Sequence, residues 1–400
     1  MAQASSSRVS LRYIKESVYG TTPSTPTMTT VRRVPGGGGL SRNSQVVTSQ
    51  EADSSRTIPD QIEVGYSAAF DFNFELSSGT LDDFFVAILG GTRYVGTTTA
   101  QTTISAASVG NKLVRSGGSF ITDGYKPGAW IKVSGFTGTT ANNGLMRINN
   151  ADADVTALEM NIDTATKTFV ADAAGEAVTI SQDMVRTGTV NQDSFSFESH
   201  FTDLSNVYLR GTGYRPTTLS LDASAGAVVT GSVNFLGQTA TTSSSAFTSE
   251  VVTAATATQS MNATSNVGTL YEGGTAITAL ARQITININP NVTELRAIAN
   301  PAAAALIDGT FDIQVGLNMF FSDLTYITKV INRTSTSLYL PFTDAANNHI
   351  VFSFPKGYLS GTPKEQGQNT PVAQDLTFTP VRFTGFTITP SIMAQIDFPK

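Results

Sequence analysis

The sequence predicts an all-β protein with a few short helices. Composition, one long alternating strand and many short apolar segments between Gly-rich turns predict this class. Charged residues make up 14% of the 400 residues and hydrophobic residues 40%, whereas soluble domains carry roughly 25% charged residues. The abundant Thr, Val and Phe suit a pleated surface. Because solubility depends on surface charge, such a chain is expected to bury much of its surface against copies of itself.

The strongest pattern lies between Ile62 and Leu76. Every even position is apolar, and nearly all odd positions are polar or small. A period of two predicts a β-strand with one dry face and one wet face. The run exceeds the ~6 residues of a common strand, which favours a large sheet. The polar candidates on the wet face are Glu63, Ser67, Asp71, Asn73 and Glu75.

A short amphipathic helix is predicted directly after this strand, over Leu81–Leu89. Thr80 is the candidate N-cap, Asp82 and Asp83 lie in the first turn, and Gly90-Gly91 ends the helix. Adjacent residues on a helix point apart. The two aspartates are therefore interpreted as stabilising the helix dipole, and not as a catalytic carboxylate pair.

The order of a long alternating strand followed by a short apolar segment recurs in the C-terminal half. A strand is predicted over Ile307–Phe321, with apolar or small residues at odd positions, and an apolar segment follows at Leu324–Ile331. The polar positions of this strand are Asp308, Thr310, Asp312, Gln314 and Asn318. Superposing Phe72 on Leu317 aligns the two strands, and a two-residue gap then aligns Leu81 with Leu324. This indicates a divergent internal duplication, although any two amphipathic strands would share the alternation.

Composition divides the chain into five predicted regions. They are an extended N-terminal arm or loop at 1–60, a first unit at 61–94 and 186–237, an inserted small β-barrel or sandwich domain at 95–185, a Ser/Thr/Ala-rich linker at 238–275, and a second unit at 276–400. The first region lacks sustained periodicity, so it is interpreted as a disordered tail or as an arm that orders on a neighbouring subunit. The insertion shows short strands between Gly-rich turns. A late strand is predicted at Phe386–Thr389.

No catalytic, metal or cofactor site is predicted. The chain contains no cysteine, which excludes thiol chemistry and disulfides. His200 and His349 lack neighbours that resemble a triad or a metal pair. Residues 149–154 faintly resemble a calcium loop but lack its Gly and Glu. Nucleotide-binding and hydrolase motifs are not found.

Charge and hydropathy exclude further classes. The net charge is −6 and the longest basic cluster is Arg32-Arg33, which argues against binding the outside of DNA. No apolar run reaches the ~18 residues of a membrane span. The first residues lack the layout of a signal peptide. The sequence therefore predicts a product that is made in a cytosol and that stays soluble or assembles there.

Several segments resemble the tail tube (major tail) proteins of long, non-contractile-tailed bacteriophages. They are Tyr13–Pro23, Ser44–Val47 with Arg56 and Asp60, Glu75–Phe85 with Gly90-Gly91, Ser194–Glu198, Leu338–Asp344 and Phe354–Lys356. Each segment is short, so their order and spacing carry the resemblance. It covers most of the chain except the insertion at 95–185.

The resemblance implies two tail-tube-type β-sandwich or barrel units, in subunits that close into rings and stack into a tube for the genome. The implied partners are further copies of the chain, a tape measure protein and a tail terminator, in a virion tail assembled in the host bacterial cytoplasm. The polar strand faces are expected to line the bore, where acidic side chains would let DNA slide without sequence-specific binding. If both halves are tube folds, three chains make a pseudo-six-fold ring; one tube fold per chain would require six. Three is favoured.

Two other classes stay open at this point. A receptor-binding module, such as a tail fibre or adhesin, would use the insertion to bind glycans and remain a discrete oligomer. A capsid or decoration protein would form shells. For the polar faces, the alternative to a bore is contact with bulk solvent or with an outer layer.

Overall fold

The computed structural model describes residues 3–52, 54–264, 268–277, 281–365, 367–385 and 392–400. About half of the chain is strand and two α-helices are described, so the predicted all-β class is confirmed. The strand predicted at Phe386–Thr389 lies outside the described residues.

The strands of the N-terminal half are β1 (Val9–Lys15), β2 (Thr27–Thr30), β3 (Ser41–Thr48), β4 (Gln61–Glu75), β5 (Gly90–Gln101), β6 (Ile104–Ala107), β7 (Lys112–Arg115), β8 (Trp130–Ser134), β9 (Gly144–Arg147), β10 (Glu159–Asn161), β11 (Val178–Thr187), β12 (Phe195–Phe201), β13 (Tyr208–Ser224) and β14 (Thr230–Gly237). Those of the C-terminal half are β15 (Thr239–Ser243), β16 (Val251–Thr253), β17 (Leu270–Glu272), β18 (Thr275–Ile277), β19 (Ala281–Asn289), β20 (Thr293–Leu295), β21 (Ala305–Ile307), β22 (Asp312–Phe320), β23 (Thr336–Thr343), β24 (His349–Lys364), β25 (Ala373–Pro380) and β26 (Gln395–Asp397). The helices are α1 (Asp82–Leu89) and α2 (Thr325–Ile331).

The long strand predicted after residue 61 is present as β4. Its dry face buries Phe70, Phe72 and Phe74 in the main hydrophobic core. The ring of Phe84 from α1 lies 5.6 Å from that of Phe72 and 5.5 Å from that of Phe235 on β14. Such tilted and edge-on aromatic contacts add to the burial of apolar area, and they fix α1 against the sheet.

Helix α1 begins at Asp82, and its N-cap is Leu81 without a side-chain cap. The prediction of Thr80 as N-cap is wrong, because its hydroxyl bonds other side chains at 2.8 and 2.6 Å. Asp83 accepts a hydrogen bond from the Tyr13 hydroxyl at 2.8 Å. Gly90 ends the helix in the left-handed conformation, at φ 65°, as predicted.

The strand predicted over Ile307–Phe321 is interrupted. Strand β21 ends at Ile307 and β22 begins at Asp312. The intervening residues form a loop in which the Gly309 N–H donates to the Pro290 carbonyl at 2.9 Å. Asp308 in this loop pairs with the guanidinium of Arg215, 2.6 Å away. The small β20–β21 ribbon and this ion pair therefore replace the continuous strand that alternation predicts.

The two halves share one strand order. Repeat 1 comprises β3, β4, α1, β12, β13 and β14, and its sheet runs β3–β4–β14–β13. Repeat 2 comprises β19, β22, α2, β23, β24 and β25, and its sheet runs β19–β22–β25–β24. Strand β12 pairs with β13 as β23 pairs with β24. Helix α1 contacts β13 as α2 contacts β24. The shared order is what a duplication produces.

The repeats join edge to edge into one sheet. In the order across the sheet, β13 is the final strand of repeat 1 and β19 is the initial strand of repeat 2. These two strands pair antiparallel, from Leu219 opposite Ile288 to Ser224 opposite Gln283. Apolar residues of both repeats form a single hydrophobic cluster. The repeats are therefore packed together and not separated by a free linker.

The N-terminal region does not match the predicted arm at residues 9–15 and 27–30. Strand β1 pairs with β12 over its whole length, and Leu11 and Tyr13 lie in the main core. The buried carboxylate of Glu16 accepts hydrogen bonds from the backbone N–H groups of Gly20 and Gly213, each at 2.8 Å. The distant pairing partner β12 orders this segment, and local periodicity does not reveal such a partner.

Residues 104–184 contain a second, separate hydrophobic cluster. Strands β6, β7 and β10 form a small sheet there, while β8 and β9 continue the main sheet through β11. The predicted boundaries of the five regions stay a prediction.

A buried polar network fastens this cluster to the main sheet. Asp397 accepts hydrogen bonds from the Trp130 backbone N–H at 3.0 Å and from the Gln395 amide at 2.8 Å. The indole N–H of Trp130 donates to the Ser353 hydroxyl at 3.1 Å. Burial raises the pKa of Asp397 to about 7, and it lowers the pKa of Arg186, which bonds Gln395, to about 10.

Candidate functional site

The candidate site is the polar face of the joined sheet, opposite the aromatic core. Asp71 and Asn73 on β4 lie opposite Asn234 and Ser232 on β14, and cross-strand partners share a face of the sheet. Ser232 in turn lies opposite Ser220 on β13, whose hydroxyl is 2.8 Å away. The face is continuous across both repeats.

Repeat 2 continues the same rows. Further side chains on this face include Asp222 of β13 and, in repeat 2, Thr285, Asn287, Gln314, Asn318, Asp375, Thr377 and Thr362. Sequence reasoning missed those on β13, β19, β24 and β25. The signal for β19 was present, since Ile284, Ile286 and Ile288 alternate with polar residues.

The polar face is hollow. A depression of about 740 Å³ is lined by residues of β4, β13, β14, β19, β22 and β25, among them Asn73, Ser220, Asp222, Asn287 and Gln314. The lining spans both repeats and contains no residue of 95–185. The polar face of the joined sheet therefore carries an open depression that both repeats line.

The charges of this face are acidic. Across β4, residues 218–224 of β13, β14, β22 and β25, its charged side chains are the carboxylates Asp71, Glu75, Asp222, Asp312 and Asp375. Arg282, at a bulge of β19, lies over the Phe320 ring at 5.2 Å. Most of the carboxylates accept hydrogen bonds from neutral groups, such as the Gly38 N–H on Asp71 at 2.9 Å. Glu63 is not part of this face: it pairs with Arg42 at 2.5 Å, and Arg42 covers the Tyr66 ring on the opposite side of the sheet. Lys364 adds a positive charge at the β24 edge. The hollow surface is thus hydrophilic and predominantly negative.

Three of the residues predicted for this face, Glu63, Asp308 and Thr310, lie elsewhere. Asp308 and Thr310 precede β22, in the loop that interrupts the predicted strand. Ser67, Asp71, Asn73 and Glu75 lie on one face of β4, and Asp312, Gln314 and Asn318 on one face of β22. A bulge in the β3–β4 pairing turns Glu63 to the opposite side, where it bonds Arg42. Asn73 and Asn318 occupy equivalent positions of the two repeats, where Asn318 donates to Asp375. That this face lines a bore stays a prediction.

Each end of the joined sheet presents an unpaired edge among the described residues. Strand β3 of repeat 1 pairs only with β4. Residues 358–364 of β24, in repeat 2, pair only with β25. Unpaired edges are templates for another chain. In the shared strand order, β3 of repeat 1 corresponds to β19 of repeat 2, and β24 of repeat 2 corresponds to β13 of repeat 1. These two corresponding strands, β19 and β13, pair with each other inside the chain.

Each histidine packs against a neighbouring side chain of the same sheet. His200 stacks on Tyr208 at 4.4 Å between ring centroids, and burial lowers its pKa. His349 is buried beside the Thr343 hydroxyl at 3.0 Å, and burial lowers its pKa to about 4. Within the described ranges, no group of three or more His, Asp or Glu side chains could hold a metal ion.

A family model for phage tail tube proteins matches residues 6–380. The chain belongs to this family. It is therefore a structural protein of the phage tail, and the resemblance seen in the sequence is confirmed. The match spans both repeats and the insertion within repeat 1. No curated protein matches the chain. None of the helices in the described residues is long and apolar enough to cross a membrane.

Proposed function

We propose that three copies of this chain close into a ring whose hollow polar face lines the tail tube. The observation that carries the proposal is the junction between the repeats. Inside the chain, the last strand of repeat 1 pairs with the first strand of repeat 2. The matching strands β24 of repeat 2 and β3 of repeat 1 each have an outer edge with no pairing partner among the described residues. Repeating one contact head to tail generates a closed ring when the rotation closes.

The register of the repeated junction follows from the repeat equivalences. Phe72 of repeat 1 is aligned with Leu317 of repeat 2. Two strands further across the sheet, Leu219 lies level with Phe72 and Gly361 lies level with Leu317, so Leu219 and Gly361 are equivalent positions. By the same counting, Ile288 matches Arg42. Strand β24 therefore pairs with β3 of the next copy, with Thr362 opposite Ser41. Each ring then contains six repeats joined by one type of edge contact, which leaves no free edge.

The electrostatics suit a conduit for DNA. A ring built this way turns the carboxylates of Asp71, Glu75 and Asp375 toward the axis. Duplex DNA carries a negative charge every ~1.7 Å of its length, so the wall repels the phosphates. Hydroxyl and amide side chains keep the wall wet without binding a particular sequence. The genome therefore slides through, while the insertion at 95–185 lies on the outside.

The role is structural and not catalytic. The ring stacks into a tube on the tape measure protein, ends at a tail terminator, and is assembled in the host cytoplasm. Negative-stain electron microscopy of the purified chain tests this function. Stacked rings or tubes support it; discrete trimers with projecting insertions, as in an adhesin, or spherical shells, as in a capsid protein, contradict it.

A further inference from the structure

The two helices occupy equivalent positions but differ in burial. In α1, all residues except Asp83 are buried. In α2, no residue is buried. Ile88 is 2% exposed, whereas its counterpart Ile331 is 76% exposed, and Leu324 at the start of α2 is 67% exposed. In repeat 2, Tyr326 and Val330 of the helix pack only partly against the core, and Leu324 and Ile331 at its two ends remain exposed.

What faces α1 inside the chain is part of repeat 2. Ala87 and Ile88 line one cavity of about 290 Å³ together with Ile307 and Phe311, which flank the loop before β22. This contact belongs to the same junction as the pairing of β13 with β19. The junction between repeats therefore has a strand component and a helix component.

Each residue of this contact between α1 and repeat 2 has an equivalent in the other repeat. Ala87 and Ile88 correspond to Val330 and Ile331 of α2. In the sequence alignment of the two strands, Ile307 and Phe311 correspond to Ile62 and Tyr66, although residues 308–311 form a loop where β4 is a strand. The outer half of β4 is also uncovered, with Ile62 52% and Val64 58% exposed. Exposed apolar side chains thus occur on both surfaces that the repeated junction would bring together.

We infer that α2 of one copy docks on the outer half of β4 in the next copy, so that Ile331 packs near Ile62 and Tyr66. The partner of the exposed apolar side chains of α2 is a second copy of this chain. This inference rests on the proposed ring and adds an apolar contact to its strand junction. Burying both patches removes apolar surface from water, which favours association.

Cysteine pairing tests the inference, because the natural chain contains no cysteine. Ile331→Cys and Ile62→Cys are made as separate single variants, mixed under assembly conditions, and joined with a short bis-maleimide. A linked dimer on a denaturing gel is expected only when both variants are present. Val109→Cys mixed with Ile62→Cys is the control, since Val109 is 86% exposed on the insertion, and it should give no dimer.

A second pair separates the inference from the proposed function. Thr362→Cys mixed with Ser41→Cys reports the strand junction alone. Dimers from both pairs support the inference. Dimers from the strand pair without dimers from the helix pair overturn the inference and leave the proposed ring standing. If neither pair links and electron microscopy shows no rings, both fail. Equal linking with the Val109 control also overturns the inference.

Discussion

Truncating the same position in the two repeats should separate folding from assembly. Ile88→Ala removes a side chain that is 2% exposed in the main core. Such substitutions lower the free energy of unfolding by about 2–5 kcal/mol. Ile331→Ala removes its counterpart, which is 76% exposed. Exposed positions usually change that free energy by less than about 0.5 kcal/mol. Urea unfolding below the assembly concentration measures both values.

For assembly, in contrast to unfolding, Ile331→Ala is expected to have a larger effect than Ile88→Ala. If Ile331 becomes buried between copies, losing its outer carbons weakens each junction by about 2 kcal/mol. This corresponds to roughly a 30-fold higher dissociation constant per junction. Sedimentation velocity across a concentration series should therefore show Ile331→Ala assembling only at higher concentration than the natural chain. An equal loss of unfolding free energy in the two variants, or unchanged assembly of Ile331→Ala, would refute the reasoning.

Three further predictions concern charge and hydrogen bonding. Burial raises the pKa of Asp397 from its ordinary value of 3.8 to about 7, so the folded chain binds more protons than the unfolded chain between these values. Its free energy of unfolding should then fall as pH rises through that window, by up to about 4 kcal/mol, and thermal melts of Asp397→Asn should lack this component. Replacing Asp71 and Asp312 together by lysine should leave tubes that retain DNA in a salt-dependent way; unchanged DNA retention, or equal retention with Glu159→Lys on the insertion, would contradict this. Tyr13→Phe removes the hydrogen bond to Asp83 and should lower the unfolding free energy by about 1–2 kcal/mol in denaturant titration; no change would show that the bond contributes nothing net.

Local patterns in the sequence predict the elements whose burial follows a simple period. Strand β4 and the end of α1 at Gly90 are found where alternation and turn chemistry place them. The polar face of β4 is also predictable, because a strand packed on one side must turn its other side outward.

Long-range pairing explains what the sequence does not reveal. Strand β1 is ordered by β12, which is far away along the chain. The loop at 308–311 depends on the ion pair between Asp308 and Arg215 and on the β20–β21 ribbon. Among the described residues, the outer edges of β3 and β24 have no partner, and this relation between them emerges only when the pairing of β13 with β19 is known. A one-dimensional pattern shows that two faces of a strand differ, but not which strands meet.

A cryo-electron microscopy reconstruction of the assembled tube tests the central claim most directly. The account predicts three chains in each ring, β24 paired with β3 of the next chain, and Asp71 and Asp312 on the inner wall. Six chains per ring, or these aspartates on the outer wall, would contradict it.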